Sequence, residues 1–64
     1  MRGIMWMPIS SAPDDTVVET KIHDVHGLRN QTTLKKMRGL WWFPDGSMYV
    51  YYVPTHWRPV QEKP

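Results

Sequence analysis

Between Thr16 and His23 of this 64-residue chain the side chains alternate between two faces with a period of two. That spacing marks extended strands with one wet face. From Thr16 to His23 the run Thr-Val-Val-Glu-Thr-Lys-Ile-His puts Val18, Thr20 and Ile22 on one side and Val17, Glu19 and Lys21 on the other. It predicts a strand. Upstream, Trp6-Met7-Pro8-Ile9 makes a short extended start, because a residue before proline is kept out of the helical region. Ser10 to Asp15 then predicts a loop, with hydroxyls, Pro13 and two aspartates that can hydrogen-bond nearby backbone. Asp24-Val25-His26-Gly27 predicts a turn in which Gly27 is free to take positive φ.

From Leu28 to Arg38 the pattern supports two outcomes. Leu34 and Met37 are spaced as on a helix, with Asn30 as a cap and Gly39 as a terminator. Thr32 and Thr33 favour extended structure, and the segment follows a turn that would return a hairpin partner. A boundary at Gly39 follows from either.

Beyond Gly39 the pattern changes, and both sides of the chain become apolar. Pro44-Asp45-Gly46 predicts a type I turn closed by a left-handed glycine, the common three-residue hairpin loop. Phe43 would then face Ser47, Trp42 face Met48, Trp41 face Tyr49 and Leu40 face Val50. Alternation puts Leu40, Trp42, Met48, Val50 and Tyr52 on one side and Trp41, Phe43, Tyr49, Tyr51 and Val53 on the other. Pro54 ends the second strand, and Thr55 to Pro59 folds back as a closing segment. The predicted fold is mainly β, with a β-rich α+β fold as the variant: one small domain over residues 1–64, three or four antiparallel strands built on this hairpin, and room for one short helix.

Composition makes the burial problem sharper. A domain of this size buries only about 60% of the surface its unfolded chain exposes, and it has no cysteine to staple it. Four tryptophans and five methionines answer that need with large side chains. The stretch Leu40 to Pro59 holds seven of the eight aromatic residues, more than the short remainder of the chain can cover. The face bearing Trp41, Tyr49 and Tyr51 is therefore expected to be covered by the N-terminal arm, by a second copy in a homodimer or by a partner.

No apolar run approaches the roughly 20 residues of a membrane-spanning helix, and Pro8 interrupts any signal-peptide core. The chain is expected to be a complete small product, from Met1 to the polar tail Gln-Glu-Lys-Pro, in a reducing cytoplasm. Net charge is +2, too small to bind nucleic acid by charge alone, but Arg29, Lys35, Lys36 and Arg38 fall in ten residues without an acid.

Chemistry is not written in the sequence. His23, His26 and His56 lack the ligand count and strand spacing of a zinc site, so no metal is expected. Asp14-Asp15 sits in a loop signal, Ser10 and Ser11 are not in a nucleophile elbow, and no phosphate-binding glycine loop is present. No catalytic residue, cofactor or enzymatic activity is expected. Binding is. Trp, Tyr and Arg dominate protein interface hot spots, and Trp41, Tyr49, Tyr51, Trp57 and Arg58 are the candidate contacts, with Arg29, Lys35, Lys36 and Arg38 steering an acidic partner. The same cations beside aromatic rings suit single-stranded nucleic acid as the alternative partner.

Trp6-Met7-Pro8-Ile9, then Ser11-Ala12-Pro13-Asp14-Asp15, and the ending Pro54-Thr55-His56-Trp57-Arg58-Pro59, resemble small phage and prophage proteins of an uncharacterised domain family. Asp15 stands where many relatives have glycine, and the tail Pro-Val-Gln-Glu-Lys-Pro departs from theirs. The resemblance implies a phage gene expressed in the bacterial host cytoplasm and no catalytic residue. By analogy it implies a small protein that binds a host enzyme or defence complex stoichiometrically, in the manner of an anti-CRISPR inhibitor. A virion or assembly component is the third expectation.

Overall fold

In the computed structural model, residues 5–60 are described. The start at Met1 and the Gln-Glu-Lys-Pro tail, on which completeness was expected, lie outside them. The chain forms one antiparallel sheet of five strands, β1 (Met7–Pro8), β2 (Val17–Asp24), β3 (Gly27–Met37), β4 (Leu40–Trp42) and β5 (His56–Pro59), in the order β1-β5-β2-β3-β4. The fold is mainly β. It has five strands where three or four were expected, and the helical element among the described residues is a single 3-10 turn at Ile9–Ser11.

β2 follows its sequence pattern. Val18, Thr20 and Ile22 are buried, while Val17, Glu19, Lys21 and His23 lie on the other side. Of the two outcomes for Leu28 to Arg38, the strand is found: β3 pairs with β2 from Val17↔Lys35 to Asp24↔Gly27. The partner step from Thr20↔Thr32 to Ile22↔Arg29 leaves one extra residue on β3. Asn30, with φ 55°, absorbs it in the left-handed region. The residue that suited a helix cap thus marks a bulge, since asparagine tolerates either setting.

The next turn is as tight as a hairpin can be. Met37 pairs with Leu40, and the two residues between them, Arg38 (φ 51°) and Gly39 (φ 77°), both lie at positive φ, the signature of a type I′ turn.

The Leu40 to Val53 hairpin differs from expectation in register. Phe43 N–H donates to Met48 O at 2.9 Å, Val50 N–H to Trp41 O at 2.8 Å, and Trp42 bridges Tyr49. The loop is one residue longer, Pro44 to Ser47, because the Ser47 N–H bonds Asp45 Oδ1 at 2.9 Å and is held inside the turn. A one-residue slip exchanges partners between faces. Trp41 and Val50 now look into the core while Trp42 and Tyr49 look away from it. The second arm, expected as a strand up to Val53, forms only the single bridge at Tyr49 and no regular strand.

The core is Ala12, Val18, Leu34, Trp41 and Trp57, with Met7, Ile9, Val50 and Tyr52 packed against it. Fully burying a side chain such as Val18 or Leu34 contributes about 1.5–3 kcal/mol. The N-terminal arm and the segment around Val50 and Tyr52 therefore cover the inner face, and among the described residues no further strand or helix lies over the outer face. The body is a slab 34 × 33 × 18 Å.

Candidate binding surfaces

Two of the expected contact residues are core. Trp41 is 4% exposed and Trp57 9%, and the Trp57 indole N–H donates to Ser11 Oγ at 2.9 Å. Neither offers a ring to a partner. Trp41 is set inward by its pairing with Lys36, on the face that Leu34 shares, and Trp57 by the strand β5, which the sequence presented only as a closing segment. Tyr49 and Tyr51 remain outside, at 53% and 96% exposure.

Around those tyrosines the structure adds residues that the expected register had divided between faces. Leu40, Phe43, Met48 and Val53 are all exposed, so six large apolar or aromatic side chains of the Leu40 to Val53 rim segment stand in water. The Tyr51 and Tyr52 rings meet edge-on at 5.7 Å, which ties the exposed ring to one that packs on the core. The loop signal Pro44-Asp45-Gly46 anchors this rim, and the correct loop length was the missing information.

The expected basic cluster is divided by the pleat. Arg29 sits at the far end of the β2–β3 hairpin, where Nη1 and Nη2 donate to both oxygens of Asp24 at 2.9 and 3.1 Å. This guanidinium, helped by the His26 N–H, holds the Asp24 carboxyl down to about 2, and Asp24 in turn raises Arg29. Lys36 lies on the inward side of β3, opposite Trp41, with Nζ 4.0 Å from Asp14. Lys35 points to the outer face opposite Trp42, and Arg38 stands over the Trp42 ring at 5.6 Å. Two of the four are thus paired with acids and two lie beside the aromatic rim.

The outer face carries a second arrangement. Arg58 Nε donates to Glu19 Oε1 at 2.9 Å, and Gln31 Nε2 donates to Oε2 at 3.1 Å. The Arg58 bond holds the Glu19 carboxyl below its ordinary value against the opposing effect of burial. Trp6 receives Lys21 Nζ and the Arg58 guanidinium, each 4.3 Å from its ring centroid. Lys21 and Trp6 were not candidates. Their pairing depends on β5 lying between β1 and β2, a non-local order that the sequence does not spell out.

The histidines do not converge. His56 Nδ1 meets Thr55 Oγ1 at 2.7 Å, and the His26 N–H bonds Asp24. Among the described residues no three His, Asp or Glu side chains form a metal-ligand group, and no helix is long and apolar enough to cross a membrane.

No family model matches the chain, and no curated protein or solved structure gives a significant match.

Proposed function

We propose that this protein is a non-enzymatic binding module that docks on a partner protein through the Leu40 to Val53 rim, with Tyr51 as its central contact. One observation carries this: Tyr51 is 96% exposed and shares one short segment with exposed Leu40, Phe43, Met48, Tyr49 and Val53. Scattered apolar residues on a surface are ordinary, but a crowded set is the signature of an interaction site. Tyrosine also suits an interface, since it buries a large rigid area while its hydroxyl stays paired. Lys35 and Arg38 flank the rim and favour a partner with acidic groups around an apolar cleft.

The wider context rests on the resemblance of the chain's two ends to phage proteins: a host enzyme or defence complex as the partner, and inhibition by occupation as the mode of action. The test is affinity capture from nuclease-treated bacterial lysate with the native chain and with Tyr51→Ala/Val53→Ser. A discrete protein held by the native chain and lost from the double variant supports the reading. Equal recovery by both, with the variant folded by circular dichroism, removes the rim from function.

A further inference from the structure

We infer that the outer face of the sheet is a second binding surface, for single-stranded nucleic acid, with Lys21, Lys35, Arg38 and Arg58 meeting phosphates and the Trp42–Tyr49 pair meeting a base. It goes beyond the protein contact of the Leu40 to Val53 rim. The two surfaces share Lys35, Arg38 and Tyr49 but part at Tyr51 on one side and Lys21 on the other.

Charge is sorted by face. Six lysines and arginines fall among residues 5–60. Arg29 and Lys36 are paired with Asp24 and Asp14. The other four stand on the outer face or at its corner, by the alternation of β2 and β3 and the partners Glu19↔Arg58 and Lys35↔Trp42. Among the described residues Glu19 opposes them from within the sheet face, its two oxygens already taken by Arg58 and Gln31, and Asp45 faces Lys35 from the hairpin tip. Asp45 sits at the hairpin tip, where it is bonded to Ser47. A cationic face whose one central acid is tied down is complementary to a polyanion.

Aromatic rings lie among these cations. Cations stand over rings at Lys21–Trp6, Arg58–Trp6 and Arg38–Trp42, all on or bordering this face. Trp6 holds Lys21 and Arg58 in place. Trp42 and Tyr49 meet edge-on at 5.3 Å, and Tyr49 keeps half its surface in water, which leaves an aromatic face for stacking. From β5 to β4 is three strand spacings, about 14 Å, the reach of a few nucleotides. A single strand is favoured over a duplex because only unpaired bases present their faces to a ring.

The experiment is fluorescence anisotropy of the full chain with a labelled oligothymidine of about 12 nucleotides, from low to moderate salt. Lys21, Lys35 and Arg38 at about 0.7 each, with the Arg58 charge already matched by Glu19, give a log–log salt slope near −2, a loss of roughly twenty-fold in affinity between about 50 and 200 mM salt. Lys21→Gln and Lys35→Gln should each flatten the slope by about 0.7, Lys35→Arg should preserve it, and Tyr51→Ala should leave binding unchanged. Tyr49→Ala should weaken binding about tenfold at constant slope. Absence of binding at about 20 mM salt overturns the inference. So does equal binding of a duplex, or competition by polyglutamate as effective as by unlabelled strand, which would assign the face to an acidic protein. Failure of the Tyr51→Ala/Val53→Ser capture experiment would leave these results untouched.

Discussion

The Trp57 indole N–H donates to the Ser11 hydroxyl at 2.9 Å and joins residues 46 positions apart. The Ser11 O–H donates in turn to Pro8 O at 2.8 Å, and the neighbouring backbone is tied by Met7↔Trp57, Pro8↔His56 and Ile9 N–H to Thr55 O at 3.0 Å. The two end segments, Trp6 to Asp15 and Pro54 to Pro59, are therefore one structural device. They close the sheet around Trp57, with Ala12 and Pro54 buried beside them.

Ser11→Ala leaves the half-buried indole N–H without its acceptor. The expected cost is about 1–2 kcal/mol, a fall of several degrees in Tm at about 4–8 °C per kcal/mol for a domain of this size. Thermal unfolding followed by tryptophan fluorescence measures it. A Tm equal to that of the native chain would show that water replaces Ser11 at no cost.

Trp41→Ala and Tyr51→Ala should behave oppositely. Removal of the Trp41 side chain, 4% exposed in the core, should cost about 3–5 kcal/mol, enough to unfold so small a domain. Tyr51→Ala should change stability by no more than about 0.5 kcal/mol. Chemical denaturation of the two variants decides the assignment of faces, since the expected register had placed both rings on one side.

How far the sequence could be followed depends on whether each element is held by its neighbours along the chain. The alternation of Val18, Thr20 and Ile22 is local, and β2 followed it. The partners across the aromatic hairpin depended on one residue of loop length. The β3–β4 register set Trp41 inward and Trp42 outward, and the Asp45–Ser47 bond lengthened the loop, so Val50 and not Tyr49 came to lie opposite Trp41. β5 was hidden for a different reason. A four-residue strand ending in proline has little pattern of its own and becomes a strand only because β2 pairs it from Val18↔Pro59 to Lys21↔His56. Tyr49 and Tyr51 were legible as surface residues; the Trp6, Lys21 and Arg58 group was not, because three separate segments bring it together.

Arg38→Asn should stabilise the fold. Arg38 occupies the first position of a type I′ turn at φ 51°, where Asn-Gly is the preferred pair, so relief of strain should add a few tenths to about 1 kcal/mol. The substitution also removes the cation over Trp42. A higher Tm with weaker oligothymidine binding is the expected combination, and a lower Tm would refute the turn assignment.

Acid should destabilise the protein in a window set by Glu19 and Asp24. Both carboxyls are held below their ordinary values by Arg58 and Arg29 respectively. The folded state thus binds fewer protons than the unfolded chain at mildly acidic pH, and the stability from these pairs is complete above about pH 5. It should fade as pH falls through the ordinary carboxylate range, and continue to fade to about 2, where Asp24 titrates in the fold. Glu19→Gln should flatten the upper part of this fall and Asp24→Asn the lower part, as read from Tm between neutral pH and strong acid. Moderate salt should weaken the Asp24 effect more, because that pair is exposed.

The most direct test of the proposed protein contact is photo-crosslinking from position 51 in nuclease-treated bacterial lysate, with position 25 as the control. Val25 is also almost fully exposed, at 92%, but stands at a hairpin tip away from the rim. A benzoylphenylalanine at position 51 is expected to give one discrete protein adduct that the same group at position 25 does not. Identical adducts from both positions, or none from position 51 while the chain remains folded, would contradict a partner docked on the Leu40 to Val53 rim.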